Sequence, residues 1–147
     1  KLNKMKIIIC GSLKAEKEIL EAKEKLEKMG FAVEIPLGIK IKIYQGRMID
    51  NVSTSEKADN KIKYGVIKQY YELIKSSDGV LVVNPELNGI KGYIGGNTLM
   101  EMGFAYVLNK PLYCLYSLPE MSYSPEIFAM RPVILSGDLS KIREFWS

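Results

Sequence analysis

Histidine is absent from this 147-residue chain, and its absence excludes several kinds of site at once. Without histidine there is no Ser-His-Asp or Cys-His catalytic arrangement, no His-ligated metal and no histidine general base. Any acid–base chemistry must therefore use carboxylates, tyrosine, lysine or the substrate itself.

Cysteine is scarce. The two cysteines, Cys10 and Cys114, each end an apolar run and form no C-x-x-C motif. This pattern is typical of buried free thiols in a reducing compartment, so we expect a cytoplasmic protein without a disulfide framework. A reactive cysteine would need an electropositive niche, and the neighbouring residues do not indicate one.

Long apolar runs are also missing, so the sequence predicts no membrane span. The opening stretch "KLNKMKIIIC" is basic and then apolar, but it is too short for a signal peptide and lacks a small-residue cleavage site. We interpret it as a first strand. The hydrophobic fraction of 47% is sufficient for one core, so we expect a single domain over residues 1–147 that needs no metal or cofactor.

Charge of one sign is not concentrated anywhere. The net charge is +4, but the lysines are dispersed, with no basic block and no interleaving of basic and aromatic residues. The pattern therefore argues against a nucleic-acid partner. A mild positive field suits a phosphorylated small molecule, and it suits simple solubility equally well.

Hydrophobic periodicity predicts alternating strands and helices along the whole chain. Strands are predicted at 6–10, 31–36, 78–85, 110–117 and 132–135, and helices at 15–29, 62–76, 97–108, 125–130 and from about 139. Residues 37–58 are the least regular part: "GIKIKIY" alternates like a strand, and the rest reads as a partly mobile loop.

This alternation predicts an α/β fold with a single-domain, open, mostly parallel five-stranded sheet and helices on both faces, Rossmann-like or flavodoxin-like. Ligands of such sheets bind beyond the carboxyl ends of the strands, where the strand order reverses. The loops that matter most are then Gly11-Ser12, the segment from Asn84 to Asn97, and the segment from Ser117 onward.

One acid, Glu101, stands in the otherwise apolar helix of "GYIGGNTLMEMGFAYVLNKP". One interpretation is a capping box, because Thr98 and Glu101 have the S/T-x-x-E spacing. The other is a partly desolvated carboxylate that can attack or stabilise a cation beside a glycine-lined cleft. Asn97 also has two interpretations: it is the N-cap of the helix, or it binds a sugar hydroxyl.

The glycines before this helix permit either a tight turn or a close approach of a sugar or phosphate. Neither G-x-G-x-x-G nor a Walker A motif is present, so neither dinucleotide nor NTP binding follows. Tyr93 lies within the glycine loop and is the tyrosine best placed to stack on a base, although tyrosines in a small core are usually packing residues.

Several segments, taken in order, resemble the nucleoside 2-deoxyribosyltransferase superfamily, which includes the 2'-deoxynucleoside 5'-phosphate N-hydrolases. They are "KIIICGSL", "KEKLEKMGFAVEIP", "SSDGVLVVNP" and "GGNTLMEMGFAYVLNKPLY", and they cover most of the chain. The pattern G-x-T-x-x-E-x-G-x-A-x-x-x-x-K-P is the most specific of them, because the nucleophilic glutamate of the superfamily lies in it.

The resemblance implies cleavage or transfer at the N-glycosidic bond of a (deoxy)nucleoside or nucleoside 5'-monophosphate, by a retaining mechanism with Glu101 as the nucleophile. It implies a homodimer or higher homo-oligomer whose sites are completed by a neighbouring subunit. The substrate-binding residues that it implies are Gly11, Ser12, Asn84, Tyr93, Gly95, Gly96, Asn97 and Thr98.

The chain departs from the superfamily on the helix before the third strand, which usually carries an aspartate. Gln69, Tyr70, Tyr71 and Glu72 stand there instead, while Asp78 fits a turn or cap at the start of the strand. Two alternatives therefore remain: a non-catalytic nucleotide- or metabolite-binding regulatory module, and a phosphoribohydrolase of the cytokinin-activating kind. The "GGNTLME" segment echoes the loop of the latter only in part.

Overall fold

A computed structural model describes residues 4–45 and 65–145 of the chain. Within these residues, five parallel strands form one sheet in the order β2-β1-β3-β4-β5. The strands are β1 Lys6–Cys10, β2 Ala32–Glu34, β3 Gly79–Val82, β4 Leu112–Cys114 and β5 Val133–Ile134. The predicted α/β fold with an open parallel sheet is confirmed.

The helices occupy both faces of the sheet. They are α1 Glu16–Lys28, α2 Leu37–Gln45, α3 Val66–Lys75, α4 Gly96–Val107 and α5 Ser124–Ala129, with short 3-10 helices at Leu13–Ala15 and Leu139–Phe145. Gly30 follows α1 with a φ of 100°, the left-handed conformation in which glycine ends a helix.

Alternation along the strands divides the core in two. Ile7, Ile9, Leu81 and Val83 point to the face covered by α1 and the C-terminal 3-10 helix. The opposite face is covered by α3, α4 and α5, and its strand residues are Ile8, Cys10, Val80, Val82, Leu112 and Cys114. Strands β1, β3 and β4 are buried on both sides, as central strands of parallel sheets are, whereas the edge strands β2 and β5 are half-buried.

The strand predicted from "GIKIKIY" is wrong, because residues 37–45 form α2. The Pro36 carbonyl accepts hydrogen bonds from the amides of Ile39 and Lys40, at 3.0 and 3.2 Å, and so starts a helix. Ile39 is fully buried, whereas Ile43 is exposed, so packing of one isoleucine outweighs the alternating pattern. The predicted loop at 46–58 and Ile62 lie outside the described residues.

Asp78 joins the first and third strands at their amino ends. Its Oδ2 accepts a hydrogen bond from the Lys6 amide at 2.8 Å. The Asp78 amide in turn donates to the Lys6 carbonyl at 2.9 Å. The structural interpretation of this acid is therefore confirmed.

Candidate active site

The candidate site lies at the carboxyl edge of the sheet, between β1 and β3. Strand β1 has β2 on one side and β3 on the other, so the chain crosses over at this point. Loops leave the two neighbouring strands in opposite directions at such a switch point, which opens a crevice. Helix α4 contacts β1, β3 and β4 and begins at this edge.

Glu101 lies on the face of α4 that packs against the sheet. The buried residues of this helix recur at helical spacing and are Thr98, Glu101, Met102 and Ala105. Only 9% of the surface of Glu101 is exposed to solvent. A carboxylate in such a position loses hydration and depends on polar neighbours.

The thiol of Cys10, the last residue of β1, lies near Glu101. The Cys10 side chain is fully buried, and burial raises the pKa of its thiol well above the usual value. The neighbouring Glu101 raises the pKa further, so the thiol keeps its proton.

Tyr70 of α3 approaches the same pair. It is 1% exposed, and its hydroxyl donates to the carbonyl of Ile9 in β1. Burial raises the pKa of the Tyr70 hydroxyl, and the neighbouring Cys10, Glu101 and Glu34 raise it further. The hydroxyl thus stays protonated close to Glu101.

Tyr70 is one of the four residues, 69 to 72, that stand on α3 where the resemblance predicts an aspartate. Gln69 and Glu72 of the same helix are exposed, and Tyr71 packs edge-on against Phe104 with ring centroids 5.3 Å apart. Only Tyr70, among these four, points into the core beside Glu101. The helical spacing of Val66 and Tyr70 was the sequence signal for this position.

The capping interpretation of Glu101 is wrong, because the helix begins earlier than the motif suggests. Gly95 is the N-cap, and its carbonyl accepts the Leu99 amide at 2.9 Å. Thr98 is therefore the third helical residue and is buried, while Asn97 is the second and is exposed. Neither side chain caps the helix, so the N-cap interpretation of Asn97 is also wrong.

Asn84 ties the glycine loop to the ends of two strands. Its side-chain oxygen accepts the Tyr116 amide at 2.9 Å. Its side-chain nitrogen donates to the carbonyls of Gly92, Tyr116 and Ser117, at 3.4, 3.1 and 3.2 Å. The side chain is fully buried, so it positions the loop through backbone contacts. Its predicted contact with a ligand stays a prediction.

Replacing Asn84 with Ala is expected to lower the free energy of unfolding by about 3 kcal/mol, because several backbone groups lose their buried partner. Denaturant titration of both proteins measures the change. Asn97→Ala is the matched control, since Asn97 is exposed, and it should change stability by no more than about 0.5 kcal/mol. Equal effects of the two substitutions would contradict this assignment.

The remaining predicted residues lie along the same edge. Gly11 follows Cys10 directly, and an added Cβ would stand 2.9 Å from the Val83 carbonyl oxygen. The Ser12 hydroxyl accepts the Lys14 amide at 3.2 Å and so begins the 3-10 turn. The contact of Gly11 and Ser12 with a sugar or its 5' group stays a prediction.

Tyr93 covers the start of α4. Its ring lies 3.4 Å from the position that a Cβ on Gly95 would take, whereas Gly96 faces open space. Tyr123 comes close to Tyr93 from the loop after β4, and its hydroxyl donates to the carbonyl of Ile94. Burial and the neighbouring Tyr93 raise the pKa of Tyr123. The aromatic pair thus borders the glycine loop.

Two surface clefts of the described residues lie beside α1, against the segments after β4 and β5. Their volumes are about 360 and 220 Å³, and they share Lys25, Gly137 and Leu139. Glu101 lines neither of them. The sugar-sized hollow that the sequence predicts in front of Glu101 stays a prediction.

Among residues 4–45 and 65–145, no three side chains of His, Cys, Asp or Glu are grouped so that they could hold a metal ion. In the same part of the chain, no helix has the length and hydrophobicity to cross a membrane. Cys10 and Cys114 are free and buried, as predicted.

Comparison with known proteins gives a fold relationship. The sequence matches no protein-family model. It also has no significant match among curated proteins. The structure is similar to that of the CMP N-glycosidase BcmB of Clostridium botulinum, with a TM-score of 0.53 and 17% sequence identity, over 95% of this chain and 98% of that one.

Proposed function

We propose that this protein cleaves or transfers the N-glycosidic bond of a (deoxy)nucleoside or nucleoside 5'-monophosphate, with Glu101 as the nucleophile. The observation that carries the proposal is the buried Glu101 carboxylate on the sheet-facing side of α4, which begins at the edge of the sheet where the strand order reverses between β1 and β3. The carboxylate is not part of a helix cap, so its burial calls for another reason. Buried carboxylates at this edge of a parallel sheet are candidates for catalytic groups.

The reaction uses chemistry that a carboxylate supplies without histidine. As the bond between C1' and the base nitrogen breaks, its electron pair leaves with the base and positive charge builds on C1' and O4'. A Glu101 oxygen stabilises this charge and forms an ester with C1', while solvent protonates the base. Water, or a second base, then attacks C1' and releases the carboxylate, which gives net retention.

Two independent similarities support the substrate class. The sequence resembles the deoxyribosyltransferase superfamily around Glu101, and the structure resembles that of a CMP N-glycosidase. Nucleoside monophosphates are therefore the first substrates to examine. A homo-oligomer in the cytoplasm belongs to the same proposal, and the exposed apolar side chains Ile67, Tyr106 and Val107 on α3 and α4 are candidates for its interface.

Incubation with a panel of ribo- and deoxyribonucleosides and their 5'-monophosphates tests the proposal. Chromatography should show free base from at least one member of the panel. A 2'-fluoro analogue of that substrate should slow release of the sugar and leave it attached to the peptide containing Glu101, as seen by mass spectrometry. No base release from any member, or a label on another peptide, would contradict the proposal.

A binding module is the second candidate, and the buried Tyr70 on the helix that usually carries an aspartate favours it. Such a module would hold a nucleotide without breaking it. A thermal-shift screen with the same panel separates the two functions. A compound that raises the melting temperature and is recovered unchanged after long incubation indicates a sensor.

A further inference from the structure

Leu87, Asn88, Gly89 and Ile90 form a tight turn in the loop that follows β3. The amide of Leu87 donates to the Ile90 carbonyl at 3.1 Å, and the amide of Ile90 donates to the Leu87 carbonyl at 2.9 Å. The two residues between them, Asn88 and Gly89, have φ values of 54° and 73°. Positive φ at both central residues is the geometry of a type I′ turn, for which Asn-Gly is a favoured sequence.

An electrophile and a nucleophile are adjacent in this turn. Asn88 is exposed, and its side chain ends in a carboxamide, whose carbon is electrophilic. The next backbone nitrogen, that of Gly89, can attack this carbon and close a five-membered ring. Within residues 4–45 and 65–145, no group accepts a hydrogen bond from the Gly89 amide. An added Cβ on Gly89 would have no atom within 4 Å, so the nucleophile is also unshielded.

The other asparagines in the described part of the chain lack this combination. Asn84 is buried and precedes a proline, whose nitrogen carries no proton. Asn97 lies inside α4 and precedes a buried, β-branched residue. Asn109 is the closest match, because it is exposed and has a φ of 56°. However, the amide that follows it, that of Lys110, donates to the Ala105 carbonyl at 2.9 Å.

We propose that Asn88 is a modification site of this protein, at which the Gly89 amide displaces ammonia from the side chain. The Gly89 nitrogen loses its proton and forms a bond with the side-chain carbon of Asn88. The bond from that carbon to the carboxamide nitrogen breaks, and ammonia leaves with the proton. Water then opens the resulting succinimide at either carbonyl, which gives aspartate or isoaspartate at position 88. The inference does not depend on the activity proposed above.

The place of the turn makes this reaction easier than at Asn109. Ring closure needs the asparagine backbone to rotate, and at Asn88 this rotation opens only a two-residue turn at the surface. Asn109 lies at the junction of α4 and β4, where rotation would disturb both elements. The Asn88 turn should therefore open more often.

The modification changes the loop that borders the candidate site. Isoaspartate adds a methylene to the backbone of the turn, so the two hydrogen bonds between Leu87 and Ile90 cannot both be kept. The turn lies between Asn84 and Gly92, whose side-chain nitrogen and carbonyl are 3.4 Å apart. Aspartate tolerates the left-handed conformation as asparagine does, so the aspartyl product should keep the turn and add only a negative charge.

Peptide mapping after incubation of the folded protein at mildly alkaline pH tests the proposal. Cleavage after glutamate releases residues 87–101, which contain Asn88 and Asn97, and residues 102–120, which contain Asn109. The mass increase from amide to acid should be localised to residue 88 by fragmentation. It should form there at least about fivefold faster than at Asn109, the factor that one hydrogen bond on the nucleophile contributes. Equal rates at the two residues, or an unmodified Asn88, would overturn the proposal.

Lys110→Gly is the matched control, because Asn109 is then followed by glycine, as Asn88 is, and the Ala105 carbonyl still accepts the amide of residue 110. In the folded variant, Asn109 should still react at least about fivefold more slowly than Asn88. In urea the two rates should converge, since both are then Asn-Gly in an open chain. A folded variant in which Asn109 reacts as fast as Asn88 would overturn the role of the free amide. A difference that persists unchanged in urea would overturn it as well.

Discussion

Replacing Glu101 with Gln should lower the rate of base release by about 10³-fold or more, with little change in KM. An amide is neutral, so it neither stabilises the positive charge on the sugar nor forms the ester. Glutamine is nearly isosteric with glutamate and its oxygen still accepts a hydrogen bond, so the packing around Cys10 should be retained. Steady-state kinetics on the substrate identified by the panel measures the loss.

The same substitution should change the free energy of unfolding by no more than about 1 kcal/mol, because glutamine has nearly the shape of glutamate. Glu126→Gln, at an exposed position of α5, is the control and should affect neither quantity. Base release that persists in the Glu101 variant would rule out the nucleophile. Parallel loss of activity and stability would assign the carboxylate to the fold instead.

Replacing Gly92 with Ala should lower the free energy of unfolding by about 3 kcal/mol or more. Gly92 has a φ of 69°, and an added Cβ would stand 2.0 Å from the backbone oxygen of Ser117. The contact cannot be relieved by a side-chain rotation, so the glycine loop or the end of β4 must move. Because Asn84 bonds both segments, its hydrogen bonds should weaken at the same time.

Gly89→Ala separates the clash from the backbone strain. Gly89 also has a positive φ, of 73°, but an added Cβ there has no atom within 4 Å. Its cost should be that of alanine in the left-handed region, about 1–2 kcal/mol. Urea titration of both variants gives the difference. If the two alanine substitutions lower the free energy of unfolding equally, the close approach of residue 92 to Ser117 does not contribute to the loss.

Much of the fold could be predicted from residue patterns. The strand at 6–10 and the helices that start near 16, 66 and 96 follow from buried runs and helical periodicity, which reflect burial directly. Residues 37–45 could not be predicted, because lysine and isoleucine tolerate both conformations. The deciding contacts are the Pro36 carbonyl and the packing of Gly38, whose Cβ would stand 2.9 Å from Leu13, and neither leaves a sequence signal.

The site was predicted unevenly for the same reason. Glu101 was identified from its unusual place in an apolar helix and from the motif around it. Its neighbours Cys10 and Tyr70 lie on other elements of the fold. Cysteine and tyrosine are also common in cores that have no catalytic role, so neither residue stands out in the sequence. The capping interpretation of Thr98 was wrong because this residue fits a cap locally, whereas in the fold it is buried inside the helix. Local sequence patterns therefore identify Glu101, whereas the residues around it are determined by the packing of other elements.

The central place of β1 in the sheet has a consequence for synthesis on the ribosome. Lys6 bonds Asp78, and these residues lie 72 positions apart, so one side of the first strand has no partner until the third strand has emerged. Closing so long a loop is slow compared with hairpin formation. The nascent chain therefore carries an unpaired, apolar strand edge for much of its translation, and that edge is where a holding chaperone would protect it from aggregation.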